Sequence, residues 1–460
     1  MDRRTVLKSL SAGAAAAVAP SLATTGSRPS SHKPNFIIVL CDDLGYGDVG
    51  GFGGKVFKTP NIDRLAREGT ALTDYYAPAN LCTPSRAGLL TGRYPIRTGL
   101  GYEVIMQDDT RGLPLSEVTI AAALKPDYAT GLFGKWHLGH FAPIWPPTNH
   151  GFDRFFGIPY SHDMKPLSLY DSRAGASDIS ESPVDYPQLQ QQFYAHAERF
   201  IEANRDRPFF VELAFSAPHL PEYPHAPFAG TTAGGPFGDV VAEIDSLVGR
   251  LRAKLKELDL ERNTLVIFTS DNGPWFEGSS GGLRDRKGGG AFDGGYRVPF
   301  IAWQPGVIPA GRRVDSIVSG VDLLPTFCAM AGRPPPSDVV LDGLDIGDVL
   351  RRGAASPHDE IVLFDNEDVV GIRTQQWKYV DGGYYRSNGR LSYSSCGYTE
   401  LYDTRVDPSE SYSVAVTHPD IAAAMHARFA KAQATYAEFK HEKIPPFFQK
   451  MKERQAHSQD

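Results

Sequence analysis

The chain is poor in cysteine, with four in 460 residues: Cys41, Cys82, Cys328 and Cys396. That excludes a disulfide-stapled scaffold, and a chain this long can bury a large core without one. It also lacks any excess of positive charge. The formal net charge of −7 points away from nucleic acid and anionic membranes as partners, so an anion site must be a local concentration of basic groups. Beyond the N-terminus no apolar run reaches the length of a membrane span, and there is no internal repeat. Hydrophobic residues at 41% and charged residues at 22% place the chain among ordinary globular proteins. Glycine and proline are plentiful, at 46 and 35 residues, as in a protein whose loops carry its function.

The first residues read as a targeting segment. Arg3-Arg4-Thr5-Val6-Leu7-Lys8 precedes a small-residue apolar run from Leu10 to Val18, and Ser21-Leu22-Ala23 offers a cleavage site. Residues 1–23 are expected to be a signal peptide whose paired arginines resemble a twin-arginine export signal. A basic N-terminal tail is the alternative. The expectation is a bacterial protein, periplasmic or secreted, handled by the twin-arginine export machinery. A Ser-rich linker, residues 24–33, follows.

Asn35-Phe36-Ile37-Ile38-Val39-Leu40 is a continuous apolar run, expected to be a strand buried on both faces. It ends in Cys41-Asp42-Asp43. A second such run, Thr264-Leu265-Val266-Ile267-Phe268-Thr269, ends in Ser270-Asp271-Asn272. Adjacent carboxylates at a buried strand's C-terminal end repel and need a cation. In open α/β sheets that end is where ligands bind. Asp residues capping a turn are the alternative. Asp42, Asp43, Asp271 and Asn272 offer oxygen donors without His or Cys among them, which favours Ca²⁺ or Mg²⁺ over Zn²⁺.

Further strands are expected over residues 72–76, 128–133, 208–215 and 299–303. Helices are expected over 60–69, 118–124, 193–203 and 238–258, and from Asp322 onward. Residues 167–187 read as an irregular surface excursion, and the Gly-rich basic stretch 276–290 reads by default as a flexible loop. After about Arg351 short strands at 360–364, 369–373 and 377–380 suggest an antiparallel sheet, followed by a final helix over 421–439.

Leu81-Cys82-Thr83-Pro84-Ser85-Arg86 opens a helix in which Thr83 can cap and Pro84 suits the first position. Gly92 is its expected stop. A thiol beside that helix N-terminus and next to Arg86 is expected to be acidic and reactive. Taken alone, a small buried cysteine is the better reading. Likewise, Lys135 and His137 in Gly134-Lys135-Trp136-His137 read alone as a solvated charge and a satisfied ring.

Together these pieces resemble one family. Cys82-x-Pro84-Ser85-Arg86 followed by Thr91-Gly92-Arg93 resembles the signature of the type I sulfatases, and Gly134-Lys135-x-His137 resembles the second signature, with Asp127 where Gly is usual. Tyr160-Ser161-His162-Asp163 looks most like the arylsulfatase A and N-acetylgalactosamine-6-sulfatase branch. Asp293-Gly294-Gly295-Tyr296-Arg297-Val298-Pro299 is similar to the family's Glu-Gly-Gly-x-Arg-x-Pro segment, with Asp293 in place of Glu. Glu400 to Pro408 resembles a landmark before the last helix.

The resemblance implies an α/β fold: a large mixed, mostly parallel sheet between helices, alkaline-phosphatase-like, with a smaller C-terminal antiparallel sheet and helix. It implies a catalytic domain over 34–351 and a C-terminal α+β subdomain over 352–460. It implies that a formylglycine-generating maturation enzyme oxidises Cys82 to formylglycine. The hydrated aldehyde would be the nucleophile on a sulfate monoester, held by a metal on Asp42, Asp43, Asp271, Asn272 and residue 82. Arg86, Lys135 and Lys287 would neutralise the sulfate, and Ser161 would contact it. His219 or Lys287 would protonate the leaving alcohol, and His137 would deprotonate the remaining hydroxyl to expel sulfate. A phosphonate or phosphate monoester hydrolase of the same superfamily is one alternative. An inactive exported carbohydrate-binding relative is another.

Overall fold

The uninterrupted apolar run forms strand β1, Asn35–Asp42, and every residue in it is buried. Phe36, Ile38 and Leu40 pack into one hydrophobic layer and Ile37, Val39 and Cys41 into the other, as the two-residue period of a strand requires. The computed structural model describes residues 33–176, 178–381, 384–387, 390–393 and 399–441. The expected signal peptide, most of the linker and Cys396 lie outside the described residues.

β1 is central in a ten-stranded sheet. The other strands are β2 Thr70–Leu72, β3 Ala129–Lys135, β4 Arg154–Ile158, β5 Leu169–Arg173, β6 Ser180–Ser182, β7 Phe209–Pro218, β8 Thr264–Ser270, β9 Phe300–Trp303 and β10 Arg312–Val314. Their spatial order is β10-β2-β9-β8-β1-β7-β3-β4-β5-β6. The core from β8 through β1, β7 and β3 to β4 is parallel. β9 runs antiparallel to both neighbours, and β5 and β6 form an antiparallel edge.

Helices cover both faces. α1 (Pro60–Glu68), α3 (Leu189–Ala203) and α4 (Gly235–Glu257) bury apolar faces on one side. α2 (Cys82–Thr91) and α5 (Leu323–Met330) do so on the other. The fold is thus the expected mixed, mostly parallel sheet between helices.

A second, antiparallel sheet has the order β11 (Ile361–Asp365), β12 (Asp368–Arg373), β13 (Trp377–Val380), β14 (Glu400–Asp403). One face, with Val362, Phe364, Ile372, Tyr379 and Leu401, packs under helix α6 (Pro419–Tyr436). The other face, with Leu363, Val370, Val380 and Tyr402, packs on Tyr76, Ala291, Phe292 and Tyr296. Among the described residues, no helix is long and apolar enough to cross a membrane.

Two local expectations change. Residues 72–76 are not one strand: β2 ends at Leu72, and Tyr75–Tyr76 pairs with Val318–Ser319 in a separate two-stranded ladder. Residues 167–187 are not irregular throughout, because β5 and β6 extend the main sheet there. Their polar sequence disguised them: an edge strand faces water and need not alternate.

One buried carboxyl stands apart from the chemistry of the sheet ends. Glu212 lies mid-strand in β7, in register with Ile38 and Leu132, and its Oε2 has no hydrogen-bond partner. Burial pushes it up to about 7, against the pull of Arg86. The unfolded chain ionises this group near 4.5, so between those values the folded state holds more protons and stability falls as pH rises. Glu212→Gln should therefore be more stable than the parent at pH 8 by roughly 3 kcal/mol, with the difference shrinking toward pH 5. Urea unfolding midpoints across that range check this.

Candidate active site

Parallel pairing brings the acidic residues together. β1 and β8 run in register to Cys41 opposite Ser270, so Asp42 and Asp43 leave the sheet beside Asp271 and Asn272. The Asp43 backbone is left-handed, with φ 65°, a conformation costly for a residue with a side chain. The turn is held by the Asp43 N–H donating to Asp271 Oδ1 at 3.2 Å and the Leu44 N–H donating to Ser270 Oγ at 2.9 Å.

The cysteine arrives from α2. The helix begins at Cys82 itself, with Leu81 in the capping position, not at Pro84 with Thr83 as cap. The Thr83 hydroxyl instead donates to the His137 carbonyl and accepts from the Ile105 N–H, both at 3.0 Å. Gly92 ends the helix in the left-handed region, φ 69°, as expected. Cys82 Sγ lies 3.5 Å from Asp42 Oδ1 and 3.9 Å from Asp43 Oδ1.

One ligand atom from each of Asp42, Asp43, Cys82 and Asp271 falls within 4.8 Å of the others, and all four residues are buried. Asn272 donates from Nδ2 to Asp43 Oδ1 at 2.8 Å, which leaves its Oδ1 buried with no partner. An orphaned carbonyl oxygen beside three buried carboxylates is the donor set of a hard cation. The residues present fit a divalent metal.

Basic groups close the charge balance. Arg86 is 1% exposed; Nε and a terminal nitrogen both reach Asp271 Oδ2 at 2.9 Å, and another nitrogen donates to the Lys135 carbonyl at 2.9 Å. Lys135, fully buried, donates to Asp42 Oδ2 at 2.6 Å and to Ser161 Oγ at 3.3 Å. Lys287 donates to Asp43 Oδ2 at 2.7 Å. His219 places Nε2 3.7 Å from the same oxygen. A Cβ at Gly134 would run into the Ala214 carbonyl, so only glycine lets β3 deliver Lys135 along β7.

His137 sits with φ 62°, also left-handed. Its Nε2 faces the Ile105 carbonyl at 2.9 Å. A carbonyl only accepts, so Nε2 carries the hydrogen and Nδ1 is left as a buried lone pair without a partner. Burial, reinforced by the Lys135 charge, holds this ring well below the usual histidine range, so it is a neutral base.

Burial drives Asp42 upward, but Lys135, His219 and Arg86 together hold it well below the usual carboxylate range. Burial pushes Asp271 up to about 6, against Arg86 and with the help of Asp42. The expectation of an acidic Cys82 thiol does not hold. Burial raises it well above the ordinary value, despite Lys135 and Lys287. As a thiol it is a poor nucleophile here.

The Sulfatase family profile matches residues 34–333. The chain belongs to the Sulfatase family. It is 37% identical to human arylsulfatase A over 437 residues, covering 85% of each chain. It is 37% identical to dog N-acetylgalactosamine-6-sulfatase, covering 78% of this chain and 73% of that one. Among solved structures, PsFucS1 sulfatase from Pseudoalteromonas sp. superposes with a TM-score of 0.82 at 29% identity, covering 90% of this chain and 92% of that one.

All the predicted site residues of this sulfatase therefore converge at one end of the sheet. Sequence reasoning missed Thr83 and Asn80. Asn80 Nδ2 donates to the Gly290 carbonyl, and its own carbonyl accepts from the Gly288 N–H, each at 3.0 Å, tying the Lys287 loop to the Cys82 turn. No residue pattern marks such links; only their place two residues before Cys82 is suggestive.

Arg86 pairs with two buried carboxylates, Asp271 at 2.9 Å and Asp42 at 3.6 Å, so Arg86→Met should lower unfolding free energy by about 3–5 kcal/mol. Arg86→Lys should not restore it, because an ammonium cannot span Asp271 and the Lys135 carbonyl together. Chemical denaturation of the three proteins decides this.

Proposed function

We propose that the protein hydrolyses sulfate monoesters of aryl or sugar alcohols, with Cys82 matured to formylglycine and Ca²⁺, or Mg²⁺, held by Asp42, Asp43, Asp271 and Asn272. The observation that carries this reading is the seat of Cys82 Sγ among three buried carboxylates and two lysines. The names of the relatives support the sulfate ester, and those of the two mammalian ones support an aryl or hexosamine alcohol.

Charge supplies the logic. Asp42, Asp43 and Asp271 are matched by Arg86, Lys135 and Lys287. A divalent cation added to that neutral set leaves a positive site, which suits a sulfate ester anion. When bound, the cation polarises sulfate oxygens and favours ionisation of a hydroxyl next to it. Hydrated formylglycine supplies two hydroxyls, one to attack sulfur and one whose deprotonation releases sulfate.

The chain's own residues do the rest. Lys135, fixed by Asp42 and Ser161, offers its remaining ammonium hydrogen to the sulfate, and the Ser161 hydroxyl offers another. Lys287 enters from the opposite loop. His219 is half-buried, and its Nδ1 faces the Leu220 carbonyl at 2.5 Å, so Nδ1 carries a hydrogen; in the imidazolium form Nε2 carries a second, which it passes to the leaving alcohol. His137 holds its bare Nδ1 ready to take the proton of the second hydroxyl. The Thr83 hydroxyl, donating to the His137 carbonyl, ties the backbone of this base to Cys82's own helix. The twin-arginine-like segment supports export to the periplasm or beyond, and Cys82 maturation assigns a formylglycine-generating enzyme as partner.

Protein matured in a host with that enzyme should carry a hydrazide-reactive aldehyde in the residue 82 peptide. It should release sulfate from 4-nitrophenyl sulfate faster than phosphate from 4-nitrophenyl phosphate. Cys82→Ser should lower turnover by at least about 100-fold while leaving the unfolding midpoint near the parent value. An unmodified Cys82 in active protein, or a preference for the phosphate ester, would defeat the reading. Chelator treatment followed by Ca²⁺ should lower and then restore both activity and melting temperature, since a cation binding only the folded state stabilises it.

A further inference from the structure

Lys287 sits on an intrinsically soft stretch, followed by Gly288, Gly289 and Gly290. Three glycines in a row lose much entropy on ordering. Something outside the loop must hold the ammonium 2.7 Å from Asp43.

Both flanks of the loop are fastened by the C-terminal sheet. On the leading flank, Arg284 donates to Glu400 Oε2 at 3.0 Å, to the Tyr402 hydroxyl at 2.6 Å and to the Glu410 carbonyl at 3.1 Å. Its guanidinium lies 3.6 Å from the centre of the Phe292 ring. On the trailing flank, the Asp293 N–H donates to Glu410 Oε2 at 2.8 Å. Lys378, fully buried in β13, lies 2.7 Å from both Asp293 Oδ1 and Glu410 Oε1. Glu410 therefore touches both flanks, through its carbonyl on one side and its carboxylate on the other. It is fully buried and its backbone is left-handed, φ 52°. A strained, buried acid persists only where its surroundings over-determine it.

We propose that Glu410, with Lys378 and Arg284, is a positioning residue that sets the Lys287 ammonium in the active site, so that the C-terminal sheet is a working part of that site. The proposal depends on the sulfatase reading only for what Lys287 meets, an anion beside Asp43. A purely structural Glu410 would stabilise the molecule without reference to Lys287.

A double-mutant cycle separates the two. Glu410→Ala should lower kcat/KM for 4-nitrophenyl sulfate and affinity for inorganic sulfate by about tenfold each, but by less than about twofold in a Lys287→Ala background. Glu410→Gln, which keeps an oxygen for the Asp293 N–H, should recover most of the loss and serves if the alanine variant does not fold. Amide hydrogen exchange should quicken over residues 285–290 and stay unchanged in β1, β7 and β8. Equal losses with and without Lys287, or exchange quickened throughout the sheet, would overturn the proposal. Sulfate binding coupled in this way in a protein that cleaves no sulfate ester would support the positioning role and remove the sulfatase reading instead.

Discussion

Three carboxylates buried within a few ångströms of one another are the constraint around which the structure is arranged. Like charges at that distance in a low dielectric repel by far more than any single hydrogen bond returns. The parallel register of β1 and β8 forces Asp42, Asp43 and Asp271 into this proximity. The chain then meets the repulsion with basic groups from three separate places: Arg86 on a helix, Lys135 at a strand end and Lys287 on a loop. Because each cation comes from a different element, the charge balance holds only when sheet, helix and loop are all in place.

Much of this was legible because it follows from short-range patterns. A buried strand that ends in acids announces a ligand edge, and two such strands in one chain announce a shared one. The runs that became β1 and β8 were plain for the same reason: they are apolar on both faces. What stayed hidden was whatever depends on a distant partner. Thr83 looks like a cap, yet it serves His137 and Ile105. Residues 169–173 and 180–182 look like polar loop, yet they pair because an edge strand tolerates a wet face. Glu410 lies just past a recognisable landmark, but nothing local shows that it reaches Arg284, Asp293 and Lys378.

The reading of Cys82 as an acidic thiol failed on magnitude. A helix N-terminus is worth at most about 2 kcal/mol to a nearby anion, roughly one and a half pKa units. Full burial shifts an ionisable group by several units the other way. The two lysines that oppose the shift are already engaged by Asp42 and Asp43. A thiolate at this position would be a fourth negative charge in a cluster that balances three, so the site favours a group that can stay neutral until substrate arrives.

The depth of Cys82 also imposes an order on the protein's early life. Its side chain is 1% exposed, roofed by carboxylates in front and lodged in the first turn of a helix packed on the sheet. No catalyst of macromolecular size could reach that sulfur once the helix has docked. Any enzymatic modification of it would have to come before that docking, which would set the rate of modification against the rate of folding.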